Sequence, residues 1–213
     1  MELNFIQLKT KQFDYMEKVH SFSTKDQNIF FTSDTHFCHD RGFVYEPRGF
    51  KNIDEMNAAI VERWNSVVKP EDTVYHLGDA MLNDNTLGSE LIEKLNGHII
   101  MIRGNHDTNN RLLIYEGLKN VDDCGKWADL VKCGKYTFYL SHFPTNTSNL
   151  EKDAHLSQHI INLYGHTHQK TNFYNDIPYM YHVGVDSHNC YPVSVDQIIE
   201  DIKEKIAECQ SML

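Results

Sequence analysis

Asp34 and His36 put a carboxylate and an imidazole two residues apart, directly after the apolar run Ile29-Phe30-Phe31-Thr32-Ser33. Gly78-Asp79 follows a second such run, Thr73 to Leu77, and Gly104-Asn105-His106-Asp107 a third, Ile99 to Ile102. His142 follows Tyr136 to Leu140, and Gly165-His166-Thr167-His168 follows Ile160 to Tyr164. Each motif alone is a common loop. An Asp in a turn, a lone D-x-H or a polar loop after a strand usually has only a structural role. Together they form a set of two carboxylates (Asp34, Asp79), one carboxamide (Asn105) and four imidazoles (His36, His142, His166, His168). That mixture of nitrogen and oxygen donors suits two closely spaced divalent cations. It contains no thiolate, which disfavours a structural zinc site. His106, beside a ligand, is placed to act as an acid or base.

The elements that must position these residues can be read from periodicity. If strand geometry persists through Asp34 and His36, positions i and i+2 face one side and reach one ion; the same holds for His166 and His168. The spacing of Ile53, Met56, Ile60, Trp64 and Val67 predicts a helix over 52–68, with Asn52 and Glu55 as a capping box. A second helix is expected over 87–96, stopped by Gly97, and a strand over 179–185. A last helix follows Ser194, with Gln197 completing its capping box and Val195, Ile198, Ile202 and Ile206 on one face. At least four strands end in a polar turn. The ends of adjacent strands converge, so their loops build one site.

The 213 residues suffice for one domain, here read as 28–213 with a peripheral extension at 1–27. A net charge of −10 argues against strong nucleic-acid binding. It leaves room for a small nucleotide, because bound cations reverse the local sign. Five cysteines, with no C-x-x-C pair, argue against a disulfide framework. No apolar run suits a signal peptide or a membrane span, so the expected location is cytoplasmic. The sequence leaves the oligomeric state open.

The ordered motifs D-x-H, G-D, G-N-H-D, H and G-H-x-H resemble those of the calcineurin-like metallophosphoesterases. The resemblance covers roughly Ile29 to Ile199 and is nearest to small bacterial and phage-type members: Ser33 to His39, Trp64-Asn65, Val74 to Asp79, Val183 to Asp186 and Pro192 to Ser194 all match their pattern. It implies an α/β fold in four layers, a two-sheet β-sandwich flanked by helices. It implies that Asp34, His36, Asp79 and His168 hold one metal, and that Asp79, Asn105, His142 and His166 hold the other. His106 would then meet the leaving-group oxygen, oriented by Asp107. Two such ions share a water and acidify it to hydroxide, which attacks phosphorus in line. Mn is the first expectation for the metals, then Fe or Ni, with Zn compatible. His39, Arg41, Arg48 and His76 flank the motifs and are candidate substrate contacts, although both arginines could equally sit in solvated loops. Arg103 is expected to pair with a carboxylate, and His155 and His159 to lie on a helix surface. The run from Gly78 to Asp84 lacks the G-D-x-x-D-R-G of the protein Ser/Thr phosphatases, so that branch is disfavoured. The metallo-β-lactamase motif H-x-H-x-D-H is absent. A small phosphodiester or nucleotide is the expected substrate. The alternatives are a small-molecule phosphomonoesterase and a catalytically weak interaction module on the same fold.

Overall fold

The computed structural model describes residues 20–22, 28–147 and 156–211. Its strands are β1 (His20–Phe22), β2 (Ile29–Thr32), β3 (Thr73–His76), β4 (His98–Ile102), β5 (Val121–Lys126), β6 (Ala128–Cys133), β7 (Tyr136–Ser141), β8 (Ile160–Tyr164), β9 (Met180–His182) and β10 (Val193–Ser194). The helices are α1 (Gly42–Tyr45), α2 (Ile53–Val67), α3 (Asn85–Ile92), α4 (Asn109–Glu116) and α5 (Val195–Ser211). Two mixed sheets form, in the orders β10-β2-β3-β4-β5 and β1-β6-β7-β8-β9. This is the two-sheet α/β architecture that the motifs imply.

Alternation along the strands builds two cores. Ile29, Phe31, Tyr75, Leu77, Ile100 and Ile102 point from the first sheet toward Val131, Phe138, Leu140, Ile161 and Leu163 of the second. The Phe31 and Phe138 rings meet across this gap, 5.8 Å apart. The intervening residues Phe30, Val74, Ile99 and Met101 face the helices instead, against Met56, Ile60 and Trp64 of α2 and Leu91 and Ile92 of α3. A strand buried on both faces reads as a continuous apolar run, as expected for parallel pairing under crossover helices. In the first sheet β2, β3, β4 and β5 are all parallel, connected by α2, α3 and α4. Their C-terminal ends therefore share one edge, and parallel β7 and β8 end likewise in the second sheet.

Several sequence expectations shift. The Asn52 side chain caps α2 by accepting from Glu55 N at 2.9 Å, but Glu55 reaches back to Lys51 N. Helix α3 begins earlier than Leu87, because Asp84 accepts from both Thr86 N and Leu87 N. Ser194 caps α5, whereas Gln197 bonds forward to Asp201. The closing strand stops at His182, with only a bridge from Ser33 to Gly184 beyond it. The polar strands β5 and β6 and the helix α4 lack a periodic apolar signal of useful length. Within the stretch read as peripheral, His20–Phe22 adds a parallel strand to β6.

Candidate metal centre

The seven expected ligands gather at one edge of the sandwich, but not through strand geometry. Asp34, His36, Asp79, His166 and His168 all have left-handed backbones, with φ of 58°, 50°, 58°, 67° and 49°. The premise that D-x-H and H-x-H are extended is thus corrected. The chain leaves β2 at Thr32 and coils back, aiming each ligand inward. Such conformations cost energy for non-glycine residues and cluster where function over-determines them. Backbone bonds lock the coil: Asp34 N donates to Gly78 O and His36 N to Asp79 O, at 3.0 and 3.1 Å.

Close approach then needs missing side chains. A Cβ on Gly165 would collide with Ser33 Oγ and Asp34 Oδ2, and one on Gly104 with the Asp79 carboxylate and amide. Both motif glycines thus let a loop of one strand lie against the ligand of another.

Two groups of donors converge within 4.8 Å: Asp34, His36 and His168, and Asp34, Asp79 and His142. Asp79 Oδ2 lies 3.9 Å from His36 Nε2 and 3.4 Å from His142 Nε2. Asp34 Oδ1 lies 3.7 Å from His36 Nε2 and 3.9 Å from His168 Nε2. Asn105 Oδ1 is 2.9 Å from His142 Nε2, and the His166 ring is 5.0 Å from that of His142. The other oxygens are committed to the protein: Asp34 Oδ2 accepts from His166 N and Ser33 Oγ, and Asp79 Oδ1 from His106 N. Asp34 Oδ1 and both ring nitrogens of His36 are buried without a hydrogen bond. Buried polar atoms are rarely left so, and hard oxygen beside imidazole nitrogen is what a divalent transition-metal ion satisfies. The residues therefore fit the metals that the motifs imply.

Electrostatics agree. Burial alone would raise the Asp34 and Asp79 carboxyls, yet both are held below the usual range, Asp34 by the imidazoles of His36, His142 and His168 and Asp79 by His142. Burial would lower His142, but Asp79 and Asp34 raise it to about 9. The site thus stores acidic charge in a dry pocket, the condition for binding cations.

The flanking candidates separate. His39 sits at the rim, its ring 5.3 Å from His36 and 6.4 Å from His106; burial, then those neighbours, lower it to about 4. Arg41 is exposed at the start of α1. Arg48 is corrected. Its guanidinium is buried, paired with Asp186 at 2.9 Å, and donates to Asp34 O at the same distance, so it clamps the site from behind and cannot meet substrate. His76 is corrected too: it is buried, 3.0 Å from Thr35 Oγ1, which donates to Ala80 O. Because that hydroxyl proton is used, His76 Nε2–H is the donor, and the ring braces the Asp34–His36 loop.

Asp107 holds backbone rather than the His106 ring. Its Oδ2 accepts from Asp79 N and Gly104 N, each at 2.8 Å, and its Oδ1 from Tyr115 Oη at 2.9 Å. The His106 side chain is 44% exposed, its Nε2 4.0 Å from Asp79 Oδ2. Arg111 donates to the His106 carbonyl. His159 is not a surface residue: it is buried and stacked on Tyr179. His155 lies outside the described residues. Arg103 stacks on Trp127, its guanidinium carbon 4.6 Å from the ring centroid, and no carboxylate pairs with it among the described residues. Sequence reasoning missed the roles of Asp186, Tyr115, Arg111 and Trp127. Asp186 stood inside a matched motif; the others carry no local signal.

A cavity of about 590 Å3 lies elsewhere, lined by residues such as Asn172, Asp176 and Lys205, and holds none of the motif residues.

A relative from Methanocaldococcus jannaschii, an uncharacterized protein, is 33% identical over 186 residues, covering 84% of this chain and 93% of its own. The gene 66 protein of Mycobacterium phage L5 is 27% identical, over 75% of this chain and 87% of its own. A protein of unknown function from Aquifex aeolicus shares the fold, with a TM-score of 0.61 at 24% identity, over 82% of this chain and 99% of that one. Residues 28–185 match the model of the calcineurin-like phosphoesterase superfamily domain. The chain belongs to the calcineurin-like phosphoesterase superfamily.

Proposed function

We propose that this chain hydrolyses a small phosphodiester or nucleotide, using two divalent cations held by Asp34, His36, Asp79, Asn105, His142, His166 and His168. The observation that carries this reading is the placement of Asp79 Oδ2 among His36, His142 and His106, which suits a carboxylate shared by two ions. When bound, the ions would neutralise phosphoryl charge and acidify the attacking water. Mn is the first choice for such a donor set, and Fe, Ni and Zn are compatible with it.

The chain's own residues supply the rest. The Asp107 carboxylate fixes the Asp79 and Gly104 amides, and so the relative position of the G-D and G-N-H-D loops. Asp186 and Arg48 hold His168. His106, half exposed beside Asp79, is free to give a proton to the departing oxygen. His39 and Arg41 at the rim are left to meet the substrate.

Diesters are favoured over monoesters. A monoester dianion needs more positive charge than a diester monoanion, yet Arg48 is spent on Asp186. The test is a metal-free sample, verified by elemental analysis, assayed on bis-p-nitrophenyl phosphate and p-nitrophenyl phosphate before and after Mn2+ addition. Activity should be absent, return with Mn2+ and be higher kcat/KM on the diester. Full activity without metal would overturn the mechanism, and a clear monoester preference would overturn the substrate class.

A further inference from the structure

The G-N-H-D loop borders a second feature, a cleft of about 370 Å3 lined by Arg103, Asn105, Thr108, Asn109, Asn110 and Trp127. Trp127 occupies the single residue between β5 and β6, where the chain passes from one sheet to the other. A large aromatic ring there contributes to neither core: it is 60% exposed. It is nonetheless held in place. Arg103 N donates to Lys126 O at 2.7 Å, which draws the end of β4 alongside the β5–β6 junction, and the Arg103 guanidinium stacks on the indole. Arg103 has no carboxylate partner among the described residues, and the acid of the lining, Asp107, spends its oxygens on the Asp79 and Gly104 amides and on Tyr115 Oη, so the guanidinium is the charge the cleft offers a ligand. Asn109 and Asn110 are exposed at its wall and offer amides that can both donate and accept. Asn105 belongs both to this cleft and to the metal centre. Arg103 and Asn105 are at most about 7 Å apart along the chain, so the aromatic platform and the metal donors can engage one ligand.

We propose that this cleft binds the base of a nucleotide, with the ring stacked on Trp127, its edge met by Asn109 and Asn110, and its phosphate directed past Asn105 to the metal centre. The inference deepens the proposed function and rests on it for the position of the phosphate. Stacking on an indole is tolerant of base identity, because every base has a π-face, so the cleft selects nucleotides as a class. Arg103 serves twice, orienting the indole and attracting the anion.

The probes are AMP and ribose 5-phosphate, which differ by the base alone. Both are titrated calorimetrically into the Mn2+-loaded full chain. AMP should bind about tenfold more tightly, equivalent to about 1.4 kcal/mol. It should also quench tryptophan fluorescence, since the other tryptophan, Trp64, is buried. Trp127→Ala should bring the ratio close to one and leave ribose 5-phosphate affinity unchanged; Trp127→Phe should keep most of the preference. The exposed site makes either variant compatible with folding. Equal affinity of the two ligands for the wild-type chain would overturn the inference, as would an AMP preference that survives in Trp127→Ala. Hydrolysis of bis-p-nitrophenyl phosphate by the same sample separates the two ideas. Turnover without AMP preference defeats the cleft alone, and AMP preference without turnover defeats the hydrolase reading alone.

Discussion

The two sheets contribute unlike chemistry to the same edge. The loops after β2, β3 and β4 bring the oxygen donors Asp34, Asp79 and Asn105, with His36 as their one imidazole among the candidate ligands. The loops after β7 and β8 bring only imidazoles: His142, His166 and His168. Their surroundings differ as well. Asp34, His36 and Asp79 are buried, whereas His166 and His168 are exposed; each side has one exception, the exposed Asn105 and the buried His142, tied by its Nδ1 to Leu77 O across the sandwich. The first sheet thus fixes charge in a dry setting, where it acts strongly. The second closes over it with imidazoles, two of which, His166 and His168, are open to solvent. A site assembled at the seam of two sheets depends on both, but the buried half should be the less forgiving.

The sharpest test of that asymmetry is Asp79→Asn beside His166→Ala. Asp79 has both oxygens engaged in the site, one on His106 N and one toward the imidazoles. Asp79→Asn should reduce turnover to background and lower metal content below that of Asp34→Asn, measured by elemental analysis. His166→Ala should retain more metal than Asp79→Asn. The reverse order would show that the exposed imidazoles anchor the ions.

His106 belongs to the first sheet but faces outward, so it tests whether exposure there means chemistry. His106→Ala should keep both metals and slow turnover of an alkoxide-leaving substrate by roughly 10²–10⁴-fold. The loss should be much smaller for p-nitrophenolate, which leaves without a proton. Equal losses on both substrates, with metal retained, would assign His106 to phosphoryl positioning.

Behind the exposed half lies a smaller effect. His168 Nδ1 is 2.9 Å from Asp186 Oδ2, and Arg48 binds the same carboxylate. Burial opposes ionisation of Asp186, yet His168 and Arg48 hold its carboxyl well below the usual range. Partners behind a ligand typically set metal affinity by roughly 10–100-fold. Asp186→Asn should therefore weaken Mn2+ binding in that range while kcat at saturating metal stays near wild type. An unchanged metal titration would reduce the triad to a purely structural ion pair.

The candidate ligand residues were legible because strand-ending motifs are local: an apolar run, then Gly or a polar pair. What the sequence hid is long-range pairing. Arg48 looked like a phosphate binder because its partner, Asp186, is 138 residues away. His76 looked like a rim residue because it precedes Gly78-Asp79, but β3 still runs there and turns it under the loop of the neighbouring strand. Asp107 follows His106 in sequence, yet the loop turns its carboxylate back onto the amides of Asp79 and Gly104. The strand geometry assumed for D-x-H failed although the residues met, since left-handed backbone at Asp and His leaves no mark in composition. The fold was read from β2, β3 and β4, whose burial on both faces makes near-continuous apolar runs, and from β7 and β8, whose aromatic and aliphatic residues mark them as strands. The half-exposed β5, Val-Asp-Asp-Cys-Gly-Lys, has no such run.

The smallest effect isolates the bracing behind the first sheet from the chemistry in front of it. His76 is buried, and burial lowers its pKa from 6.5 to about 4. The folded protein thus keeps the ring neutral where the unfolded chain would protonate it. For a group whose folded pKa is depressed, the unfolded state binds the extra proton, so stability is present above pH 6.5 and drains away as pH falls toward 4. The slope over that window is at most about 1.4 kcal/mol per pH unit for one group. His76→Gln keeps an amide able to donate to Thr35 Oγ1 but cannot titrate. Chemical denaturation of both proteins between pH 6.5 and 4 should show a shallower decline for the variant, whatever its absolute stability at pH 7. His182, also lowered to about 4 by burial, remains in both proteins and cancels in the difference, as do the ligand histidines. Parallel stability curves would mean that His76 takes up its proton without unfolding, and that the loop carrying Asp34 and His36 is braced less tightly than its hydrogen bonds imply.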